Sequence, residues 1–466
     1  MKVALLTPYD GGNLGDAAIQ DALIGNFRKY DPPVQFCGIT LHPQSTAGRH
    51  HIPCYPLAAI SRPYYHAMKE PVVSPNNYAA TSRIERSVET PGLFARIKRV
   101  LRSFLFRIGL KPLVRLVQEC LHILRSYRLL RTVDLLVVAG GGQLDEEWGG
   151  SWGHPYALMK WAVLARVAGA SVIFLSVGGC RVDSWLTKLF LRTALSRACY
   201  RSYRDESSRQ MALAITPTAD GPVVPDLAFS LPFTGQPFMA ASNSTGLRVG
   251  VSLIAYARPG MWPTEDAAQY ERYMTEQASF VAALLRRGIF VTLFSSSSPD
   301  DQLFDDLRAR IDPSLESEAR TRLSFGNVTS VQDLLVLLHS LGVVVASRLH
   351  GLVLSFLAGT PCIALSYDRK VETLMTDVGL KAYCLDIRSF TSENLLATFL
   401  TLQADAPLVK SKLIATCRHY DQLLQSQYHL ATALRVPGLS SLHSNHTLVA
   451  SDERLYETRS DVRPRG

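Results

Sequence analysis

The sequence predicts an α/β protein built from two doubly wound, Rossmann-like domains that face each other across a cleft. Three observations carry this. Short apolar runs such as Val3–Thr7, Asp134–Ala139 and Gly342–Ala346 read as buried parallel strands. Segments of helical periodicity follow them, so strand and helix alternate. The alternation occurs twice, on either side of a Pro-, Gly-, Ser- and Asn-rich stretch at residues 232–246. The expected units are residues 1–231 and 247–437, followed by a polar, disordered tail at 438–466.

In chain order, Val3–Thr7 leads into a helix over Ala17–Tyr30. Residues 42–89 are irregular and read as an insertion. A basic stretch at 94–131 carries Leu101, Phe104, Leu105, Ile108, Leu113, Leu116, Val117, Leu121 and Leu124 at helical spacing. The strand Asp134–Ala139 runs into Gly140-Gly141-Gly142, and a helix is expected over Tyr156–Ala168. Strands at Ser171–Ser176 and Tyr200–Tyr203 precede Arg204-Asp205-Glu206-Ser207-Ser208. In the second half the strands are Leu247–Ile254, Ile289–Ser295, Gly342–Ala346 and Cys362–Ser366. Helices fall near 269–287, 300–311, 331–341 and 352–357.

Composition narrows the class. With 466 residues, 47% hydrophobic and 19% charged, the chain has enough apolar material for two globular cores. The net charge of +9 is local: residues 94–131 hold ten Lys/Arg against one acid, Glu119, which equals the whole excess. Eight scattered cysteines without a Cys-x-x-Cys pair suggest a reducing compartment. No apolar run reaches the roughly 18 residues of a spanning helix, and the first strand begins at once, leaving no room for a signal peptide. A cytoplasmic protein is expected.

The most informative segment is Ser347-Arg348-Leu349-His350-Gly351. Read as extended backbone, Arg348 and His350 share one face at the carboxyl end of a strand. A helix follows from Gly351, and Gly359 and Pro361 stop it. Open α/β sheets bind ligands there, and a helix N-terminus favours anions, so the expected ligand is a small, multiply charged anion. Asn13-Leu14-Gly15-Asp16 forms a glycine turn in which Asp16 is a natural N-cap. It is not a dinucleotide fingerprint, since the third glycine is missing. Gly141, Gly142, Gln143 and Asp145 form a loop suited to the hydroxyls of a sugar, with His154 in the loop before the next helix. Each of these motifs has a bland reading as a tight turn or a solvated acid. Their recurrence at strand carboxyl ends in both domains is harder to explain by packing.

Taken in order, Gly12–Ile19, Gly140–Gly142, Arg204–Ser208, Pro225-Asp226-Leu227-Ala228-Phe229 and Ser347–Gly351 with Tyr367-Asp368-x-Lys370 resemble the polysaccharide pyruvyl transferase family, over about residues 1–380. The resemblance implies a fold like the two-domain GT-B glycosyltransferases. It also implies transfer of pyruvate from phosphoenolpyruvate onto two hydroxyls of a sugar, giving a cyclic ketal. Carried onto this sequence, it implies Arg204, Arg348, Leu349 and Lys370 at the donor, His350 as the acid, and His154 or Asp145 as a base. Asn13, Asp16, Gly141, Gly142 and Gln143 fall to the acceptor side. The segment Ser176-Val177-Gly178-Gly179-Cys180-Arg181 departs from the family's Pro-containing turn, and the long insertion before Gly140 is not a general family feature. The chemistry requires no metal and no cofactor besides phosphoenolpyruvate as co-substrate.

Two other classes compete: a GT-B glycosyltransferase with a nucleotide-sugar donor, and a non-enzymatic binding protein. Two arginines for two anionic groups favour pyruvyl transfer over both. The basic stretch at 94–131 suggests contact with anionic lipid, hence a peripheral place at the inner face of the membrane and a lipid-linked acceptor. Nucleic acid is not expected, because no recognised nucleic-acid fold accompanies the charge.

Overall fold

A computed structural model describes residues 1–8, 12–59, 111–146, 149–232 and 246–434. The expected linker and tail, and the first half of the basic stretch, lie outside the described residues.

The first sheet contains β1 (Lys2–Leu6), β2 (Gln35–Thr40), β3 (Cys54–Pro56), β4 (Leu135–Ala139), β5 (Gly142–Leu144), β6 (Ser171–Gly179) and β7 (Tyr200–Tyr203). Its order is β3-β2-β1-β4-β6-β5, with β7 also paired to β6, and every pair is parallel. Helices α1 (Leu14–Tyr30), α2 (Pro43–His50), α3 (Lys111–Leu130), α4 (His154–Ala168), α5 (Trp185–Leu195) and α6 (Glu206–Ile215) accompany it. The second sheet contains β8 (Arg248–Ser252), β9 (Phe290–Phe294), β10 (Leu323–Phe325), β11 (Val343–Ala346), β12 (Cys362–Ser366) and β13 (Cys384–Asp386). They run β10-β9-β8-β11-β12-β13, again all parallel. Its helices are α7 (Ala267–Arg286), α8 (Leu303–Arg308), α9 (Glu316–Arg322), α10 (Val331–His339), α11 (Leu349–Leu357), α12 (Arg369–Asp377) and α13 (Ser392–Ala433).

The central strands are apolar throughout because helices cover both faces; Leu135–Val137 and Val344–Ala346 are fully buried. In each sheet the order reverses beside the first strand, between β1 and β4 and between β8 and β11. Those two switch points are where an open parallel sheet leaves a crevice for ligands.

Three local expectations differ from the structure. Residues 43–50 are helical, not irregular, with Pro43 at the helix start where its missing N–H costs nothing. Asn13, not Asp16, caps α1: its Oδ1 accepts from Gly15 N at 2.9 Å, and Asp16 lies in the first turn. Helix α11 begins two residues before Gly351, so Arg348 is its N-cap and His350 lies in its first turn. The pair is therefore not on one extended face.

Helix α13 spans 42 residues and returns to the first domain. Gln425 Nε2 donates to Asn26 Oδ1 at 2.9 Å, and Gln427 Nε2 donates to Ser176 Oγ at 3.1 Å. Tyr428 is fully buried, packs edge-on to Phe27 at 6.0 Å and has its hydroxyl 3.1 Å from Ser230 Oγ. One apolar cluster consequently runs from β1 and α1 through this seam into the second sheet. Tyr428→Ala should cost about 3–5 kcal/mol of unfolding free energy, through the cavity and the lost hydroxyl partner. Denaturant melts of the whole chain check this; a loss below about 1 kcal/mol would mean that the seam relaxes around the gap.

Candidate active site

The candidate site forms where the carboxyl ends of the two sheets meet. From the first domain, β7 ends at Tyr203 and delivers Arg204, while Asp205 caps α6 by accepting from Ser208 N at 2.7 Å. Tyr203 N and Val224 N hydrogen-bond across to Pro222 and Tyr203 carbonyls, which brings Pro225-Asp226 alongside. Asp226 then caps the short 3-10 turn Leu227–Ser230 through a bond from Ala228 N at 3.0 Å. From the second domain, α11 brings Leu349 and His350, and α12, capped by Asp368, brings Lys370.

Asp226 is the meeting point. It is 3% exposed, yet its Oδ2 lies 3.4 Å from Arg204 Nη1 and 3.6 Å from His350 Nε2, one group from each domain. Burial alone would raise its pKa; the His350 imidazole, the Arg204 guanidinium and the Ala228 N–H outweigh it and hold the carboxyl down at about 2. His350 Nε2 is buried and makes no hydrogen bond, since Asp226 stands just too far for one. The opposite edge of the ring presses on Gly15: a Cβ there would lie 2.1 Å from His350 Nδ1. Only glycine lets the start of α1 approach His350 this closely. The same loop is tied to the second domain by Leu14 N donating to Ser296 O at 2.9 Å and by a bridge between Asn13 and Ser297.

Lys370 Nζ sits 2.8 Å from Asp368 Oδ2. Burial works against its charge, but Tyr367 and Asp368 overcome this and raise its pKa above the ordinary lysine value. Arg204, Asp226, Phe229, Leu349 and Lys370 line one cleft between the domains, with Tyr420 of α13 closing its far side. A cleft with two cations drawn from different domains suits a ligand bearing two anionic groups.

A family model for polysaccharide pyruvyl transferase matches residues 13–369, most of the chain. The protein belongs to the polysaccharide pyruvyl transferase family. No curated protein matches the chain. Among solved structures it is similar in fold to a glycosyltransferase from Rickettsia africae ESF-5, at 9% identity and a TM-score of 0.51, covering 94% of this chain and 99% of that one. It is equally similar to UDP-GlcNAc 2-epimerase from Neisseria meningitidis, at 12% identity and a TM-score of 0.50, covering 96% and 100%. These likenesses establish the two-domain GT-B-like architecture.

Within this pyruvyl transferase fold the sequence-expected residues separate into two groups. Arg204, Leu349, His350 and Lys370 converge around Asp226 and the cleft. Arg348 does not join His350: its Nε is paired to Asp300, which in turn accepts from Ala255 N at 3.2 Å. The early α11 start explains this, because successive helical residues diverge by about 100°. Asn13, Asp16 and Gly141 meet at the rim, Asn13 Nδ2 donating to Asp16 Oδ2 at 3.2 Å and Gly141 taking the left-handed φ of +66° that the tight turn after β4 demands. Gly142 follows in β5, against Asp145.

His154, Gln143 and Asp145 face inward. His154 is 1% exposed and starts α4, and is not in the loop before it. Gln143 Nε2 donates to Ala139 O at 3.1 Å, which fixes its Oε1 as acceptor for His154 Nε2 at 2.8 Å. Nε2 therefore carries a proton, and burial lowers the imidazole's pKa to about 4. Through Gln143 it is tied to the carbonyl of Ala139, at the end of β4. Asp145 is likewise buried, at 4% exposure. The residues that sequence reasoning missed are Asp226, Asp300 and Gly15. Pro225-Asp226 stood out as a motif, but its burial between Arg204 and His350 depends on a tertiary contact.

The pH dependence follows from these shifts. Asp226 has its folded pKa below the unfolded value, so its stabilisation is complete above about pH 5 and is lost as pH falls toward 2. Asp226→Asn should lower stability by about 2 kcal/mol at neutral pH, with the gap to wild type roughly halved by pH 3. Urea melts across that range test it; a gap independent of pH would deny that the carboxylate is ionised by its neighbours. His154 acts in a separate window: the unfolded imidazole takes a proton first, so stability declines as pH falls from about 6.5 to 4.

Proposed function

We propose that the protein transfers pyruvate from phosphoenolpyruvate to two hydroxyls of a sugar in a polysaccharide or its lipid-linked precursor. The observation that carries this reading is the Arg204–Asp226–His350 set, one acid-base group and one cation joined across the cleft by a buried carboxylate. Phosphoenolpyruvate carries a phosphate and a carboxylate, which Arg204 and Lys370 suit as two cations set on different elements. Arg348, the further cation expected at the donor, is paired with Asp300.

In this reading His350 delivers a proton from Nε2 to the methylene carbon, turning it into a methyl group and leaving the central carbon electrophilic. The Asp226 carboxylate provides a counter-charge for the imidazolium that this step needs. The first sugar hydroxyl adds to the central carbon and gives up its proton. The bond to the phosphate oxygen then breaks, with Arg204 and Lys370 stabilising the departing anion. The second hydroxyl closes the ring at the same carbon. Of the two hydroxyl protons released, one restores His350 and the other leaves with inorganic phosphate, so the reaction balances without an external oxidant or reductant.

Calorimetry with phosphoenolpyruvate on one side and nucleotide sugars on the other tests the donor. The wild type should bind phosphoenolpyruvate, Arg204→Ala should weaken it by at least about tenfold, and His350→Gln should keep donor affinity while losing at least about a hundredfold in turnover, measured as phosphate release. Preference for a nucleotide sugar would make the protein a glycosyltransferase, and near-normal turnover by His350→Gln would remove His350 as the acid.

A further inference from the structure

Helix α3 (Lys111–Leu130) is mounted inside out. Its inner face is polar: Glu119 Oε1 accepts from Lys160 Nζ at 2.8 Å and from Tyr156 Oη at 3.1 Å, both on α4. On the same face His122 Nε2 lies 3.0 Å from Pro56 O, its Nδ1 lies 3.3 Å from Lys160 Nζ, and Ser126 Oγ is 3.4 Å from that same Nδ1. The outer face holds Leu113, Leu116, Val117, Leu121 and Leu124, exposed from 42% at Leu121 to 61% at Leu116. A helix at the surface of a globular domain normally turns its apolar stripe to the core and its charges to water. Here the only acid of the helix is spent on the inner lysine, and leucines face out. Five exposed leucine and valine side chains in one stripe call for a covering surface.

Ser151 Oγ bonds Ser184 Oγ at 2.9 Å and Thr187 Oγ1 at 2.7 Å, which ties the turn carrying Trp152 to the start of α5, where Trp185 lies. Both indoles are exposed, Trp185 at 73%, and Trp152 packs on Tyr156, the residue that bonds Glu119. Basic groups frame the apolar area: Arg115, Arg125, Arg128 and Arg131 on and after α3.

We infer that this face docks on an anionic phospholipid surface. Leucines among arginines match the layered polarity of a bilayer interface, where acyl chains take the apolar side chains and headgroup phosphates take the guanidinia. A second copy of the chain would bring two basic faces together against their repulsion. A nucleic acid would satisfy the arginines and leave the leucines uncovered. The inference stands on the helix alone and does not depend on the donor chemistry proposed above. It also deepens that proposal, because an acceptor carried on a lipid would be met at this surface.

Flotation of the full chain with phosphatidylcholine vesicles, with and without phosphatidylglycerol, tests the inference. The wild type should bind the anionic vesicles at least about tenfold more tightly than the neutral ones. Leu116→Ser with Leu124→Ser keeps the charge and removes the apolar stripe, and should weaken binding by at least about tenfold. Arg125→Gln with Arg128→Gln should cost a similar factor while lowering the dependence on phosphatidylglycerol. These four side chains are exposed, so thermal melts should match wild type and show that the variants fold. Failure of the wild type to bind, indifference to phosphatidylglycerol, or full binding by the leucine variant would each overturn the inference. So would a dimer in the absence of lipid that the leucine variant splits, which would make this face a self-interface.

Discussion

The carboxylate of Asp226 is the constraint around which the two halves of this protein are arranged. It is buried, it stays ionised because Arg204 and His350 face it, and those two partners come from different domains. A charge removed from water needs compensation at close range, so neither domain can move far without leaving Asp226 short of a partner. The glycine at position 15 and the bond from Leu14 to Ser296 close the ring on the other side of the imidazole. The long helix α13 then fixes the relation of the domains through Gln425, Gln427 and Tyr428.

The sheets were legible from the chain because both are parallel and buried on two faces, which turns each strand into a short apolar run flanked by helical periodicity. Motifs at strand ends were legible as well: Arg204, His350 and Lys370 each lie shortly after a strand, β7, β11 and β12 respectively. Direction was not. Whether His350 pairs with Arg348 or with a carboxylate from the other domain depends on where α11 starts, and Leu349 is helical although the sequence gives it no capping side chain. His154 and Gln143 read as polar loop residues, yet they are buried and hydrogen-bond to each other, an arrangement with no linear signature. Asp300 is similar, since it holds Arg348 across 48 positions of sequence.

The cleft and helix α3 are built in opposite ways. In the cleft, charges from separate elements are gathered at strand ends and helix starts, which favour an anion. On α3 the polar groups are gathered inward instead, around Lys160, so that the apolar side chains are left to the outside. No helix among the described residues is long and apolar enough to cross a membrane.

The most direct measurement is a crystal structure with phosphoenolpyruvate bound. The account predicts its phosphate and carboxylate on Arg204 and Lys370, with the methylene carbon within about 3.5 Å of His350 Nε2, the reach of a proton transfer. Phosphoenolpyruvate bound elsewhere, or lying in the cleft with its methylene turned away from His350, would contradict it.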